Sequence, residues 1–443
     1  MPAIDRGVRR AARTRFAMVA LGGLGALAII TLSLHRYGLS TLSVDLAAIR
    51  GWTAGDGLYD YQAPGGETRA ALSPALALLL APLAVLPLPA AGSLLALASV
   101  AALVLASVVL AGPIARRYGH RRAMVVLTIA ALAMLTSPVR ATLGLGRTDL
   151  LLFGLVVADL VALRRAAWTR SRATWWPARR ASRTLPDRSL RHRLRRVWAT
   201  GAWAGAGTGL ATALAAAPVL FIGYLLLTRQ RRAALTALAT AATVTLGMLL
   251  LAPDETLTWY GTALWELDRA APISTPDNQS LAGVLARLYG FSAPPVLVWF
   301  SFGVLVLAVG LIRARSAHAD GDEIAAFTLV ALTCAVAGPV TGQAETVWLI
   351  PAVLILADTA TRRRLSARLP RSARFAGAGF AVAALLGYGL LVAGPLWAYG
   401  WNATALALIV LVNALPWRYG SAPAIPELRP AKKPAAIPVP RGG

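Results

Sequence analysis

Three carboxylates sit close together in a chain that has few of them. Asp45, Asp56 and Asp60 fall within Leu42–Tyr61, LSVDLAAIRGWTAGDGLYDY, and the whole chain has only 19 acidic residues. A carboxylate can draw the proton from a hydroxyl as that oxygen attacks an electrophile, provided it lies about 3 Å from the proton. The first half of the stretch has helical spacing. Leu42, Leu46, Ile49 and Trp52 share one face, while Asp45 and Arg50 point elsewhere. Such a helix is expected to lie in the headgroup plane of a membrane, with Trp52 as its interfacial anchor, so that Asp45 meets a lipid-borne substrate. The same residues also allow an ordinary solvated loop between two spans.

The elements that must position these groups are membrane helices. The chain has 443 residues, 57% of them hydrophobic, and a mean hydropathy of +0.62. Apolar runs of this length satisfy their backbone in lipid only as helices or closed barrels, and the period-2 alternation of a barrel is absent. The one cysteine, Cys334, lies in an apolar run, which excludes an intrachain disulfide and a cysteine-cluster metal site. The net charge is +25, and Lys432 and Lys433 are the only lysines, so the balance is made by arginine. A basic chain raises nucleic acid as a partner. Here the arginines flank apolar runs, and the tendency of positive charge to stay on the cytoplasmic side explains them, so no nucleic-acid partner is expected.

That rule orders the chain. Residues 1–15 form a cytoplasmic basic N-terminus, residues 16–416 the membrane domain, and residues 417–443 a Pro-rich basic tail expected to be disordered in the cytoplasm. Phe16–Leu34 reads as an uncleaved first span, which places Leu42–Tyr61 outside. Leu72–Leu86 is short for a ~30 Å core and reads as re-entrant, so that Arg116, Arg117, Arg121, Arg122 and the Arg-rich loop 164–198 fall inside. Ala123–Val139 and Asp149–Leu163 then bracket an outer loop, Arg140–Thr148. Thr200–Thr228 is expected to form a hairpin of two short helices meeting near Leu214–Pro218. Ala252–Ser292 is a second large outer loop, and Ile324–Val340 and Val347–Thr359 meet at a small outer turn. The count is about twelve crossings plus the re-entrant segment, with both ends inside. Most acidic residues then face outward. Polar groups do not extend through the membrane depth and no repeat relates the halves, which argues against a transporter.

Five stretches together carry a resemblance. They are Asp45; Gly55-Asp56-Gly57-Leu58-Tyr59; Ala81-Pro82-Leu83-Ala84-Val85-Leu86-Pro87; Leu143-Gly144-Leu145-Gly146-Arg147-Thr148-Asp149-Leu150; and Pro276-Asp277-Asn278-Gln279-Ser280-Leu281-Ala282-Gly283. The chain resembles, from about Arg15 to Leu415, the actinobacterial polyprenol-phosphate-mannose-dependent α-(1→2)-mannosyltransferases of glycosyltransferase family 87, which have the GT-C fold. The resemblance implies an all-α polytopic bundle and inverting transfer of a sugar, mannose first, from a polyprenyl-phosphate donor to a glycolipid or glycan hydroxyl. The reaction would occur on the outer face of the cell membrane. It implies Asp45 as general base and no cofactor or metal. Arabinofuranosyl transfer from a decaprenyl-phosphate donor is the runner-up.

The remaining candidates follow from needs of that chemistry. A departing lipid phosphate needs a cation or oriented N–H groups, which nominates Arg147, Arg140 and Arg50. Asn278, Gln279, Glu345 and Tyr59 are nominated for the substrate. Arg50 or Arg147 is expected to keep Asp45 ionised. The sequence also departs from the family pattern. Ala215 stands where a Lys precedes Pro218, Arg147 replaces a Gln and Asp149 an Asn. Gly342-Gln343-Ala344-Glu345 replaces Trp-Asp-His-His, and Leu72-Ser73-Pro74 replaces Tyr-Pro-Pro. Two readings follow: Arg147 has taken over the phosphate, or the site has decayed and the protein binds glycolipid without turnover.

Overall fold

The computed structural model describes residues 20, 22–63, 69–175, 189–269, 271–365, 371–393 and 401–418. The expectations for residues 1–15, the middle of the Arg-rich loop and the tail beyond Arg418 lie outside these. Among the described residues every regular element is helical, apart from one isolated bridge between Gln62 and Arg69.

Four helices are long and apolar enough to cross a membrane: Leu88–Leu110, Arg231–Leu251, Val296–Ala319 and Ala344–Arg364. Arg122–Met134 and Ser137–Leu145 would make a fifth, bent by 67°. Shorter apolar helices cover Pro74–Ala84, Glu323–Ala337, Gly377–Ala393 and Ala403–Ala414. The expected outer loop Arg140–Thr148 is corrected. Pro138 near the start of Ser137–Leu145 suits a helix N-terminus, where the missing N–H is harmless, and the helix runs on to Gly146. Only the short corner Gly146–Thr148 is left outside helix.

The region Thr200–Thr228 does break where expected, between helices Ala206–Leu214 and Val219–Leu227. Nine residues rise only about 13 Å, so neither helix can cross a ~30 Å core. Gly205 and Gly209 lie against Ala233 and Ala237, so the first helix runs alongside the start of Arg231–Leu251. The second runs back, antiparallel to Glu323–Ala337. Cys334 Sγ donates to Ala217 O at 3.2 Å near one end, and Tyr224 OH donates to Glu323 Oε2 at 3.1 Å near the other. The two helices therefore form a hairpin that turns back on itself, each arm too short to count as a crossing. Its first helix is capped from a neighbour. Asp159, 1% exposed, accepts from the backbone N–H of Gly205, Gly207 and Thr208 at 3.1, 3.2 and 2.6 Å. A carboxylate suits the positive end of a helix, and those N–H groups have no partner within it.

The helix expected near Asp45 exists as Ser40–Ala54, but its apolar face does not lie in lipid. Leu42, Leu46 and Ile49 are buried in a small separate core with Leu58, Leu72, Ala77, Leu80 and Ala84, contributed largely by helix Pro74–Ala84. Arg50 fixes that pairing by donating to Ala84 O at 2.8 Å and Leu86 O at 3.1 Å, two carbonyls left open at the end of the facing helix. Burial of each large side chain is worth about 1.5–3 kcal/mol where the alternative is water, which makes this docking robust.

Candidate active site

Gly146 is the corner that brings the site together. Its φ of 73 ends helix Ser137–Leu145, and a Cβ there would meet Leu42 Cβ at 2.5 Å. Glycine alone lets the turn lie flat on the helix that carries Asp45. Leu39 N donates to Gly144 O at 2.9 Å, pinning the two segments six residues before Asp45. Arg147 follows directly. Its Nε donates to Asp149 Oδ2 at 2.8 Å and its Nη2 to Glu345 Oε1 at 2.5 Å. These carboxylates hold its guanidinium firmly protonated, Asp149 most of all.

Asp45 is half-buried and accepts no hydrogen bond among the described residues. Burial pushes its carboxyl up to about 7, while the positive charge of Arg147 pulls the other way and does not win. The expectation of a fully ionised Asp45 is therefore corrected. Arg50 spends its donors on the 74–84 helix, and Arg147 already faces two carboxylates of its own. A carboxylate poised near 7 suits a general base, because it is substantially ionised at neutral pH yet still basic.

Glu345 lies at the start of a short helical turn, Ala344–Trp348, and its Oε2 accepts from Gly342 N at 2.9 Å. That turn is buttressed from the second outer loop. Asn278 Nδ2 donates to Ile273 O and Pro339 O at 3.0 and 3.1 Å, and its Oδ1 accepts from Ser280 N and Thr341 N at 3.1 and 3.0 Å. Two donors and two acceptor sites are all the side chain has. Gln279 N donates to Thr341 O at 2.8 Å, and its side chain joins Pro276 O to Ala405 N. Ser280, not Asn278, is the N-cap of helix Leu281–Tyr289, accepting from Gly283 N. Asn278 and Gln279 thus reach Arg147 only through the 339–345 turn that they hold.

Beneath Glu345 lies the helix break at 215–218. Ser73 Oγ donates to Ala213 O and Leu214 O at 3.2 and 2.9 Å, so the tip of the 74–84 helix closes one side. Ala216 and Ala217 are exposed, and Ala215 partly so, and Ala215 supplies no charge at the break.

Arg140 and Tyr59 are placed elsewhere. Arg140 Nη2 donates to Val392 O at 3.1 Å, away from the first outer loop. Tyr59 stacks on Trp259 at 6.0 Å between ring centres, and its OH donates to Leu72 O. Sequence reasoning missed two residues. Asp149 was visible only as a departure, although its spacing two residues from Arg147 permits an ion pair. Arg269 gave no signal. It is 8% exposed and stitches the two outer loops, donating to Ala70 O and Tyr59 O at 2.7 Å each and to Glu266 at 2.7 Å, with its guanidinium over the Tyr59 ring. Among the described residues no three His, Cys, Asp or Glu side chains group in a way that could hold a metal ion.

The model of glycosyltransferase family 87 matches residues 73–341, more than half of the chain. The chain belongs to glycosyltransferase family 87. It is 29% identical over 241 residues to a polyprenol-phosphate-mannose-dependent α-(1-2)-phosphatidylinositol mannoside mannosyltransferase of Mycobacterium tuberculosis, covering 54% of this chain and 48% of that one. The corresponding protein of Mycolicibacterium smegmatis is 28% identical over 252 residues, 55% of this chain and 49% of its own. A pentamannoside mannosyltransferase of the same organism is 27% identical over 295 residues, 64% of this chain and 60% of its own. The first two alignments span about half the length of each relative. No solved structure matches. The family match begins at Ser73 and ends at Thr341, so it takes in Arg147 and the Asn278 loop and leaves Asp45 and Glu345 outside.

Proposed function

We propose that this family 87 member transfers a sugar, mannose by likeness to its relatives, from a polyprenyl phosphate to a hydroxyl of a mannosylated glycolipid on the outer face of the membrane. The observation that carries the reading is Asp45, an unpaired, half-buried carboxylate near neutrality in the field of Arg147. The acceptor hydroxyl oxygen attacks the anomeric carbon as the bond to the phosphate oxygen breaks. Asp45 takes the hydroxyl proton, and the lipid phosphate leaves with both electrons of the broken bond. Attack opposite the leaving group inverts the anomeric centre. Arg147 is the cation available to the leaving phosphate, which takes Nη2 by displacing Glu345, since Asp149 already holds Nε. The excess of arginine at the opposite end of the bundle supports placing the site outside and both termini inside, with about ten crossings once the hairpin is counted as returning.

A second reading has its own observation. Nε and Nη2 of Arg147 are both engaged by carboxylates and Ala215 offers no charge, which favours a glycolipid-binding protein without turnover. Membranes incubated with labelled polyprenyl-phospho-mannose and phosphatidylinositol mannosides separate the two. The transferase reading expects labelled glycolipid from the wild type and about 10²–10⁴-fold less from Asp45→Asn. Transfer only from decaprenyl-phospho-arabinose would correct the sugar, and glycolipid binding without transfer from either donor would establish the second reading.

A further inference from the structure

At the Arg-rich end of the bundle a shallow crevice opens between the end of helix Leu88–Leu110, the start of Glu323–Ala337 and helix Leu349–Leu365. Its walls are apolar, with Leu110, Ile114, Ile324, Leu354 and Ile355 among them, and its mouth is charged. There one carboxylate, Asp358, 3% exposed, holds three guanidinium groups. Arg117 Nη2 reaches Oδ1 at 2.7 Å, while Arg362 Nε and Arg418 Nη2 reach Oδ2 at 3.0 and 2.7 Å. Asp322, also at the mouth, accepts from Arg418 N at 3.0 Å and Ala325 N at 3.3 Å.

We propose that this crevice binds an anionic phospholipid of the leaflet on that side, its phosphate on the arginines and an acyl chain against the apolar walls. With Arg116 and Arg164 in the same field as Asp322, Glu323 and Arg418, the guanidinium groups outnumber the carboxylates, and a phosphodiester offsets part of the excess. One arginine would suffice to balance Asp358, and the surplus is costly to crowd together unless an anion joins it. Arg117, Arg362 and Arg418 are 33%, 34% and 25% exposed. Arg362 Nη1 and Arg418 Nη1 have no partner among the described residues, so forked donors remain for phosphate oxygens. Basic pockets between helices at the cytoplasmic boundary are where lipid headgroups of this charge bind. The apolar walls select a lipid over free phosphate.

Native mass spectrometry of the purified full chain, titrated with phosphatidylglycerol, phosphatidylcholine or inorganic phosphate, tests this. Phosphatidylglycerol should be retained about tenfold more strongly than phosphatidylcholine, with inorganic phosphate a poor competitor. Arg362→Gln with Arg418→Gln should abolish that preference. Leu354→Trp, which fills the crevice and leaves every charge in place, should lower phosphatidylglycerol retention by a similar factor. Equal retention of the two lipids, full competition by inorganic phosphate, or unchanged retention by Leu354→Trp would each overturn the proposal.

Discussion

The two ends of the bundle use the same residue types in opposite proportions. At one end one guanidinium, Arg147, is held by Asp149 and Glu345 while a third carboxylate, Asp45, stands unpaired nearby. At the other end one carboxylate, Asp358, is held by Arg117, Arg362 and Arg418. Whichever species is in surplus has capacity left over. At the Arg147 end that is a carboxylate able to accept a proton; at the Asp358 end, N–H groups able to bind an anion. Ion pairs alone therefore say little about role, and the ratio of partners says more.

The contrast can be broken most severely at the spare carboxylate. Asp45→Asn should lower transfer by about 10²–10⁴-fold, the usual contribution of a general base, with membrane insertion unchanged. Labelled-product formation per inserted protein measures it. At the other end, Asp358→Ala leaves three guanidinium groups crowded without their counter-charge. The expected loss is about 3–5 kcal/mol, the cost of removing one member of a buried pair, read as a lowered midpoint of thermal unfolding in detergent.

The pH dependence sharpens the comparison further. If Asp45 is the base we propose, its ionised form does the work, and kcat/KM should rise with pH through about 7 and level off above it. Asp45→Asn should flatten the residual profile. The stability effect has the opposite sign. A carboxyl raised from 3.8 to about 7 in the folded state favours folding below 3.8, and that contribution is lost as pH rises through 7. Asp45→Asn should therefore gain stability relative to the wild type at pH 8 and not at pH 4. The smallest expected effect comes from Glu345→Gln, which weakens the competitor for Arg147 and should tighten donor binding a few-fold. An unchanged donor KM would show that the phosphate does not use Nη2.

Apolar run lengths and the clustering of arginines made the helical membrane class legible, and the break before Pro218 was legible from Ala215–Pro218 itself. The hairpin was legible too, but hydropathy records that its arms are apolar and not that each is too short to cross, so they were counted as crossings. The Asp45 helix was legible from its 3.6-residue spacing. Its cover was not, since the same apolar face suits lipid or the 74–84 helix. Within the site, Asp45 and Arg147 were nominated from type and position. The ionisation of Asp45 was misjudged because burial is a property of the fold and outweighs a single neighbouring charge. Arg269 was invisible, because its partners are mostly backbone carbonyls about two hundred residues away, and carbonyls leave no mark in a sequence.

That arginine has a mechanical consequence. Its bonds rivet the loop around Tyr59 and Ala70 to the loop around Glu266, and each charge-assisted bond is worth about 1.5–3 kcal/mol. Neither loop can swing away by itself without forfeiting the two that reach Ala70 and Tyr59. Motion of either loop must therefore carry the other with it, hinged where each joins its helices.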